Sequence, residues 1–107
     1  AAHREALRRA DEHETELTNI FTGRPARGIV NRVMRDLGPI SPLAPAFPTA
    51  GGSLVPLRVH TEALGSGDFM SLWAGQAAAL GREMPAGELT RRLAAETLAI
   101  LSAKESI

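Results

Sequence analysis

The sequence has no cysteine, and its charges of opposite sign balance. The missing cysteines exclude disulfides and thiolate zinc sites as supports for a small hydrophobic core. Because 12 Lys and Arg residues match 12 Asp and Glu residues and no basic block occurs, the composition argues against nucleic-acid binding. No apolar run approaches the length of about 18 residues that a membrane-spanning helix needs. With a length of 107 residues, these absences predict a cytoplasmic protein of at most one domain.

Hydrophobic periodicity is mostly that of α-helices, so we predict a mainly α fold with at most one or two short strands. The best strand candidate covers residues 16–23, where Thr, Ile and Phe precede Gly23. Pro25 and Gly38 favour the start and the end of one helix, and Pro85 separates the last two helices. Helices are predicted over residues 2–14, 25–37, 57–68, 74–82 and 87–103.

Residues 39–56 are dense in proline and glycine and poor in charge. Each proline removes a backbone donor and favours extended geometry in the residue before it, so no regular structure is predicted here. Long loops of this kind usually serve a site or lie across a neighbouring surface. The apolar residues Ile40, Leu43, Phe47 and Leu54 favour the second, so we expect a wrapping arm.

Catalytic signatures are mostly absent from the sequence. His3, His13 and His60 have neither the spacing of a helical metal pair nor a third ligand at a standard offset, so we interpret them as surface or structural residues. There is no nucleophile elbow, phosphate loop or dinucleotide fingerprint. The carboxylates lie mainly beside arginines on predicted helix faces, where solvation and ion pairing explain them. The sequence therefore predicts no metal site and no catalytic residue within this chain.

Two stretches are candidates for binding. In Thr-Gly-Arg-Pro-Ala-Arg-Gly, Arg24 and Arg27 flank a predicted helix N-terminus, where they would either bind an anion or pair with carboxylates of a partner domain; the second is favoured. The other stretch is Trp-Ala-Gly-Gln. Trp73 is either a core anchor or part of a ligand-facing turn, in which Gly75 allows close approach and Gln76 offers a donor and an acceptor.

The two blocks, in this order and at this separation, resemble a known family. The sequences LTNIFTGRPARGIVNRVMRDLGPISPLAPAFP and GSGDFMSLWAGQAAALGREMPAGELTRRLAAE are similar to the C-terminal third of nitronate monooxygenases, formerly called 2-nitropropane dioxygenases. The similarity covers residues 3 to 98. Flavin-dependent enoyl-acyl-carrier-protein reductases are more distantly similar, with Met in place of Trp before the Ala-Gly-Gln turn.

The resemblance implies a flavin enzyme built on an α/β (β/α)8 barrel that binds FMN, with a small helical lid. It implies oxidation of alkyl nitronates by O2 to carbonyl compounds and nitrite, without a metal. Residues 1–15 would correspond to the helix after the last barrel strand, and residues 16–107 to the lid and its return to the barrel. The family's catalytic histidine lies upstream of this segment, and none of His3, His13 and His60 matches it.

The resemblance also implies that the chain is a fragment, inactive alone, whose partner is the flavin barrel of the same protein. The missing cap before the first helix agrees with that expectation. In the family, the turn matching Trp73, Ala74, Gly75 and Gln76 lies near the flavin and the substrate pocket, so these residues are the candidate cofactor-proximal site. A related flavin reductase that uses NAD(P)H with a quinone or an enoyl thioester, and a non-enzymatic helical interaction module, are the alternatives.

Overall fold

The computed structural model describes residues 1–11 and 14–106, and the chain is about half helical. The mainly helical composition predicted from periodicity is confirmed. The chain is elongated, with a Cα radius of gyration of 17.2 Å; a compact domain of similar length has a radius of about 13 Å. In chain order the elements are α1 (Ala2–Arg9), β1 (Thr15–Thr18), β2 (Ala26–Ile29), α2 (Arg32–Leu37), α3 (Val55–Ala63) and α4 (Ala86–Glu105), with 3₁₀ turns at Ala50–Leu54 and Ala78–Leu80.

An antiparallel hairpin of β1 and β2 organises the first half of the chain. Its register runs from Thr15 opposite Ile29 to Thr18 opposite Ala26. Strand β1 confirms the predicted strand but is shorter, because the backbone leaves extended geometry after Thr18. The connection turns at Gly23, whose φ of +93° is accessible to glycine at little cost.

Strand β2 corrects the prediction of a single helix over residues 25–37. Gly28 has a low helix propensity, and the chain around it pairs on both edges, with β1 on one side and with Trp73 on the other. Helix α2 therefore begins only at Arg32, and it ends before Gly38 as the glycine predicted. Pairing between segments distant in sequence outweighed the helical spacing of the apolar residues.

Asn31 ties α2 to the rest of the chain. Its Oδ1 atom accepts a hydrogen bond of 3.4 Å from the Met34 N–H, which caps the first turn of the helix. Its Nδ2 atom donates to the carbonyl oxygens of Gly67 and Met70 at 2.9 and 2.7 Å. Since Asn31 is buried, its satisfied amide fixes the approach of the segment that leads to Trp73.

Two clusters of buried apolar side chains form the core. The first joins the turn after β1 to helix α2, and its members are Ile20, Phe21, Val33 and Met34. The second joins the end of α1, strand β2 and the segment before Trp73, and its members are Ala10, Ile29 and Leu72. Hydrophobic burial therefore stabilises the hairpin half of the chain.

The proline-rich arm over residues 39–56 packs on its own chain. A Cβ atom added at Gly23 would stand 2.7 Å from the Pro45 carbonyl oxygen and would also overlap the Phe47 backbone nitrogen. The predicted absence of regular structure is confirmed over residues 39–49 and is wrong for the rest of the arm, where the 3₁₀ turn Ala50–Leu54 leads directly into α3 at Val55. Part of the surface that it covers is thus the connection between β1 and β2.

Helix predictions outside the hairpin had mixed outcomes. The first helix ends at Arg9, because Ala10 adopts extended backbone; the predicted continuation partly lies outside the described residues. Helix α3 confirms the predicted helix near residue 57 and starts two residues earlier, at Val55. Helix α4 confirms the last prediction and has no buried residue. Within the described part of the chain, no helix has the length and apolar character needed to cross a membrane.

The predicted helix over residues 74–82 is wrong. The segment contains only the 3₁₀ turn Ala78–Leu80. The Ala74 N–H donates to the Arg27 carbonyl oxygen at 3.3 Å, so the start of the segment is held along strand β2 in place of a first helical turn. Pairing with the hairpin again decided the local structure.

Candidate functional site

The four predicted site residues form one turn at the edge of the hairpin, here called the 73–76 turn: Trp73, Ala74, Gly75 and Gln76. The Ile29 N–H donates to the Leu72 carbonyl oxygen at 2.8 Å, and Gly28 forms a β-bridge with Trp73. The segment that enters the turn is therefore a short extended segment alongside β2. Main-chain pairing with β2 therefore sets the position of this segment.

The Trp73 ring lies on the outer side of this extended segment. Leu72 is 3% exposed and belongs to the core, whereas Trp73 is 37% exposed. Successive side chains of an extended strand point to opposite faces, which explains the contrast. The Trp73 ring packs edge to face on Phe21, with ring centres 5.5 Å apart. Leu72 is thus the core anchor of this segment, and Trp73 keeps part of its ring accessible.

The rest of the turn is open on the same chain. A Cβ atom added at Gly75 would find no atom within 4 Å, and Gln76 is exposed. Ala74 is half-buried, since it packs against the cluster around Leu72. The turn therefore presents an aromatic ring, bare backbone and a side-chain amide on a supported base, an arrangement that can contact a planar ligand.

Helix α1 contacts the turn through a residue that the sequence did not single out for this role. The Nε2 atom of His3 lies 3.0 Å from the Trp73 carbonyl oxygen. A carbonyl only accepts, so Nε2 is the protonated nitrogen of the imidazole. The two residues are 70 positions apart, and no local pattern indicated their contact.

Two bidentate ion pairs follow the turn, at consecutive residues. Arg8 Nε and Nη2 donate to the Glu83 carboxylate at 2.9 and 2.8 Å, and Arg82 donates to Glu96 of α4 at 2.9 and 2.8 Å. These hydrogen bonds lower the pKa of both carboxyl groups from the usual value, and they raise the pKa of both guanidinium groups. One loop is thereby connected to α1 on one side and to α4 on the other.

The structure corrects the expectation that Arg24 and Arg27 flank a helix N-terminus. Arg27 lies within strand β2, and its Nη1 atom donates to the Thr15 carbonyl oxygen at 2.9 Å. Arg24 stacks on the Phe47 ring, with its guanidinium carbon 4.3 Å from the ring centre. Both side chains therefore brace the hairpin and the arm. The anion site that depended on helical N–H groups at this point has no structural basis.

The histidines fit the structural interpretation as far as they are described. His60 is exposed on α3, and His3 makes the contact above, while His13 lies outside the described residues. Among residues 1–11 and 14–106, no three His, Cys, Asp or Glu side chains are grouped so that they could bind a metal ion.

Comparison with known proteins matches most of the chain. The sequence model of the nitronate monooxygenase family matches residues 1–96. A nitronate monooxygenase of Pseudomonas aeruginosa is 43% identical over 97 residues, which are 90% of this chain and 28% of that protein. A nitronate monooxygenase of Paraburkholderia phytofirmans is 36% identical over 88% of this chain and 26% of its own length.

A solved structure agrees with these sequence matches. The crystal structure of a nitroalkane oxidase from Streptomyces ansochromogenes is similar with a TM-score of 0.83 and 42% sequence identity, over 96% of this chain and 29% of that one. The chain thus spans less than a third of the length of the relatives that it matches. The family match includes both sequence blocks and the 73–76 turn, and this chain belongs to the nitronate monooxygenase family.

Proposed function

We propose that this chain is the C-terminal lid segment of an FMN-dependent nitronate monooxygenase. The whole enzyme would oxidise alkyl nitronates with O2 to carbonyl compounds and nitrite. The observation that carries the proposal is the 43% identity to the P. aeruginosa nitronate monooxygenase over 90% of this chain. Members of the family are flavin enzymes in general, which supports a flavin as the cofactor.

In this proposal the chain is inactive by itself and acts with a flavin-binding barrel of the same protein. The matched part is 28% of the P. aeruginosa relative, so most of that enzyme lies outside the match. The exposed large apolar side chains support a covering partner, because burying them against it would remove apolar surface from water. Those that are more than half exposed in the second half of the chain are Val59, Leu64, Leu80, Leu93, Leu98, Ile100 and Leu101.

The 73–76 turn fits contact with a flavin ring but not the binding of a complete FMN molecule. The accessible part of Trp73 and the open space at Gly75 suit a planar ring, and the Gln76 amide can donate to or accept from a heteroatom. The phosphate would need cationic or N–H donors, and Arg27 already binds Thr15. When bound, FMN would supply transfer of electrons from the nitronate to oxygen, and these residues would shape the pocket and exclude water.

A flavin reductase that uses NAD(P)H is the alternative activity. It shares the Ala-Gly-Gln turn by resemblance, so the turn alone does not separate the two functions. The solved relative is described as a nitroalkane oxidase, and this observation favours the oxidation of a nitro compound.

The test is a hybrid enzyme in which this chain replaces the matching segment of the P. aeruginosa nitronate monooxygenase. We expect the hybrid to retain FMN and to release nitrite from an alkyl nitronate in the presence of O2. The 107-residue chain alone should neither bind FMN nor release nitrite. Genomic DNA upstream of the Ala1 codon should encode a flavin barrel in the same reading frame.

The matched control is the P. aeruginosa enzyme reassembled from its own two parts through the same junctions, so that it has its native C-terminal segment. If the control is active and the hybrid binds FMN but reduces a quinone with NAD(P)H and releases no nitrite, the reductase is favoured. FMN binding by the isolated chain would contradict the lid assignment and favour an independent module.

A further inference from the structure

Helix α1 contacts the segment from residue 73 to residue 84 at both of its ends and in its middle. The 73–76 turn begins this segment, the 3₁₀ turn Ala78–Leu80 lies at its centre, and the loop at Glu83 ends it. The three contacts differ in chemistry: one is a hydrogen bond, one is apolar and one is ionic.

The first contact is a hydrogen bond. His3 donates from Nε2 to the Trp73 carbonyl oxygen at 3.0 Å. The Ala74 N–H bonds to the Arg27 carbonyl oxygen of β2, next to the bridge between Gly28 and Trp73. The carbonyl of Trp73 is thus fixed by α1, while the neighbouring main chain is fixed by the hairpin. Together they leave the turn little freedom to rotate about its entry point.

The second contact is apolar and uses small side chains. Ala6 of α1 and Ala10, the residue after α1, belong to the same cluster as Ala74 and Ala78, around Ile29 and Leu72. Small side chains allow close approach of two backbones, and α1 contacts the 3₁₀ turn Ala78–Leu80 at the centre of the segment.

The third contact is ionic and lies at the far end of the segment. Arg8 binds the Glu83 carboxylate through two hydrogen bonds of 2.9 and 2.8 Å. A bidentate guanidinium–carboxylate pair has a defined geometry, so it orients as well as attracts. Glu5 also bonds Arg8, at 3.2 Å, and helps to hold the guanidinium in place.

We propose that α1 positions the 73–76 turn, with His3 and Arg8 as positioning residues that hold the two ends of the segment. The relevance of this positioning to a flavin pocket rests on the proposed function, but the positioning itself does not. Residues in the lid would be placed by a helix that the family resemblance assigns to the barrel side. Pocket shape and the orientation of α1 would then change together.

The chain contains its own reporter of this arrangement. Trp73 is the only tryptophan and there is no tyrosine, so the intrinsic emission of the 107-residue chain reports the turn alone. The variants are His3→Ala, His3→Gln, Arg8→Ala and the charge exchange Arg8→Glu with Glu83→Arg. Arg9→Ala is the matched control, since Arg9 pairs with Glu5 inside α1. Emission wavelength, acrylamide quenching and far-ultraviolet circular dichroism are recorded for each.

We expect His3→Ala and Arg8→Ala to shift the Trp73 emission towards that of the urea-denatured chain and to increase quenching by acrylamide. His3→Gln, which keeps an N–H donor, and the charge exchange should each restore much of the wild-type emission. Arg9→Ala should leave the emission unchanged. Circular dichroism detects loss of helix, and hydrogen exchange at α2, which depends on the core and does not include the substituted residues, separates a moved turn from loss of fold.

Three results would overturn the proposal. In the first, wild type and His3→Ala have equal Trp73 emission. In the second, neither His3→Gln nor the charge exchange restores the wild-type emission although circular dichroism is unchanged. In the third, the wild-type emission already coincides with that of the denatured chain. None of these results depends on nitrite release. In the hybrid enzyme, His3→Ala should raise the KM for the nitronate more than it lowers kcat. If the hybrid is inactive and the emission shifts are as expected, the proposed function fails and the positioning stands.

Discussion

Helices α2 and α4 are formed for opposite reasons. Helix α2 has six residues, of which Val33 and Met34 are buried, and the Asn31 side chain caps it. Helix α4 has 20 residues and none of them is buried. An isolated helix of six residues is unstable in water, whereas a long one rich in Ala, Leu, Arg and Glu approaches stability by itself. The first therefore depends on tertiary packing, and the second on local propensity.

This difference divides the chain by function as well as by stability. The hairpin, α2 and the arm hold the core and support the 73–76 turn. Helix α4 presents apolar side chains to solvent and is connected to the preceding loop by the Arg82–Glu96 pair. In the proposed enzyme, the hairpin half would carry the site and α4 would contact the barrel.

The hairpin half should not tolerate a methyl group at its tightest point. Gly23→Ala adds a Cβ at a φ of +93°, against the backbone of Pro45 and Phe47. We expect a loss of at least about 3 kcal/mol in the free energy of unfolding, because strain and overlap add. Urea unfolding of the chain measures it. Gly52→Ala is the control, since nothing lies within 4 Å of a Cβ there, and it should change the stability by less than about 0.5 kcal/mol.

Truncating a buried apolar residue of α2 should cost more stability than truncating an exposed apolar residue of α4. Met34→Ala removes a side chain that is 0% exposed, so we expect a cost of about 2–5 kcal/mol. Leu93→Ala on α4, where Leu93 is 51% exposed, should cost about 0.5 kcal/mol or less in the 107-residue chain. Hydrogen exchange of the two helices, with urea unfolding, compares them. Equal costs in this chain would contradict the division between the two helices. A larger cost for Leu93→Ala in the hybrid enzyme than in this chain would support contact between α4 and the barrel.

Trp73 lies at the boundary between support and surface, so its truncation should have an intermediate effect. We expect Trp73→Ala to cost about 1–3 kcal/mol, since the ring is 37% exposed and mainly loses its contact with Phe21. Leu72→Ala, at 3% exposure, should cost more. In the hybrid enzyme, Trp73→Ala should also change the visible absorption of the flavin, and Leu72→Ala should change it less. The reverse order of costs would make Trp73 the core anchor.

The smallest effect concerns the ion pair that connects α4. Hydrogen bonds from Arg82 lower the pKa of Glu96. The pair therefore adds to the free energy of unfolding at pH values above the ordinary glutamate pKa, and this contribution is lost as the pH falls through the lowered pKa. Carboxyl titration by nuclear magnetic resonance should show the lowered pKa in wild type and a return towards the ordinary value in Arg82→Gln. High salt should weaken the pair because both groups are exposed. An unchanged Glu96 titration in Arg82→Gln would contradict the pairing.

Much of the candidate site followed from the sequence through family resemblance. The two blocks identified the family, and the same resemblance singled out Trp73, Ala74, Gly75 and Gln76; contact of these residues with a flavin stays a prediction. The structural support of the turn could not be predicted. Its partners Gly28 and His3 are 45 and 70 residues from Trp73, and such contacts leave no periodicity in a single sequence.

The sequence by itself determined the features that depend on neighbouring residues. Propensity over residues 87–103 predicted α4, Gly38 predicted the end of α2, and the prolines of the arm predicted the absence of regular structure over residues 39–49. These outcomes need no distant partner, because each depends on the backbone preferences of a few adjacent residues.

The tertiary structure decided whether apolar residues at helical spacing became helix or strand. Residues 26–29 became β2 and the start of the 74–82 segment became extended, because hydrogen bonds to β1 and between these two segments satisfied their backbone groups together. Either segment alone has a spacing compatible with a helix. Pairing across the chain satisfies the same donors and acceptors while burying Ile29 and Leu72 in one cluster, and a local pattern contains no information about that shared burial.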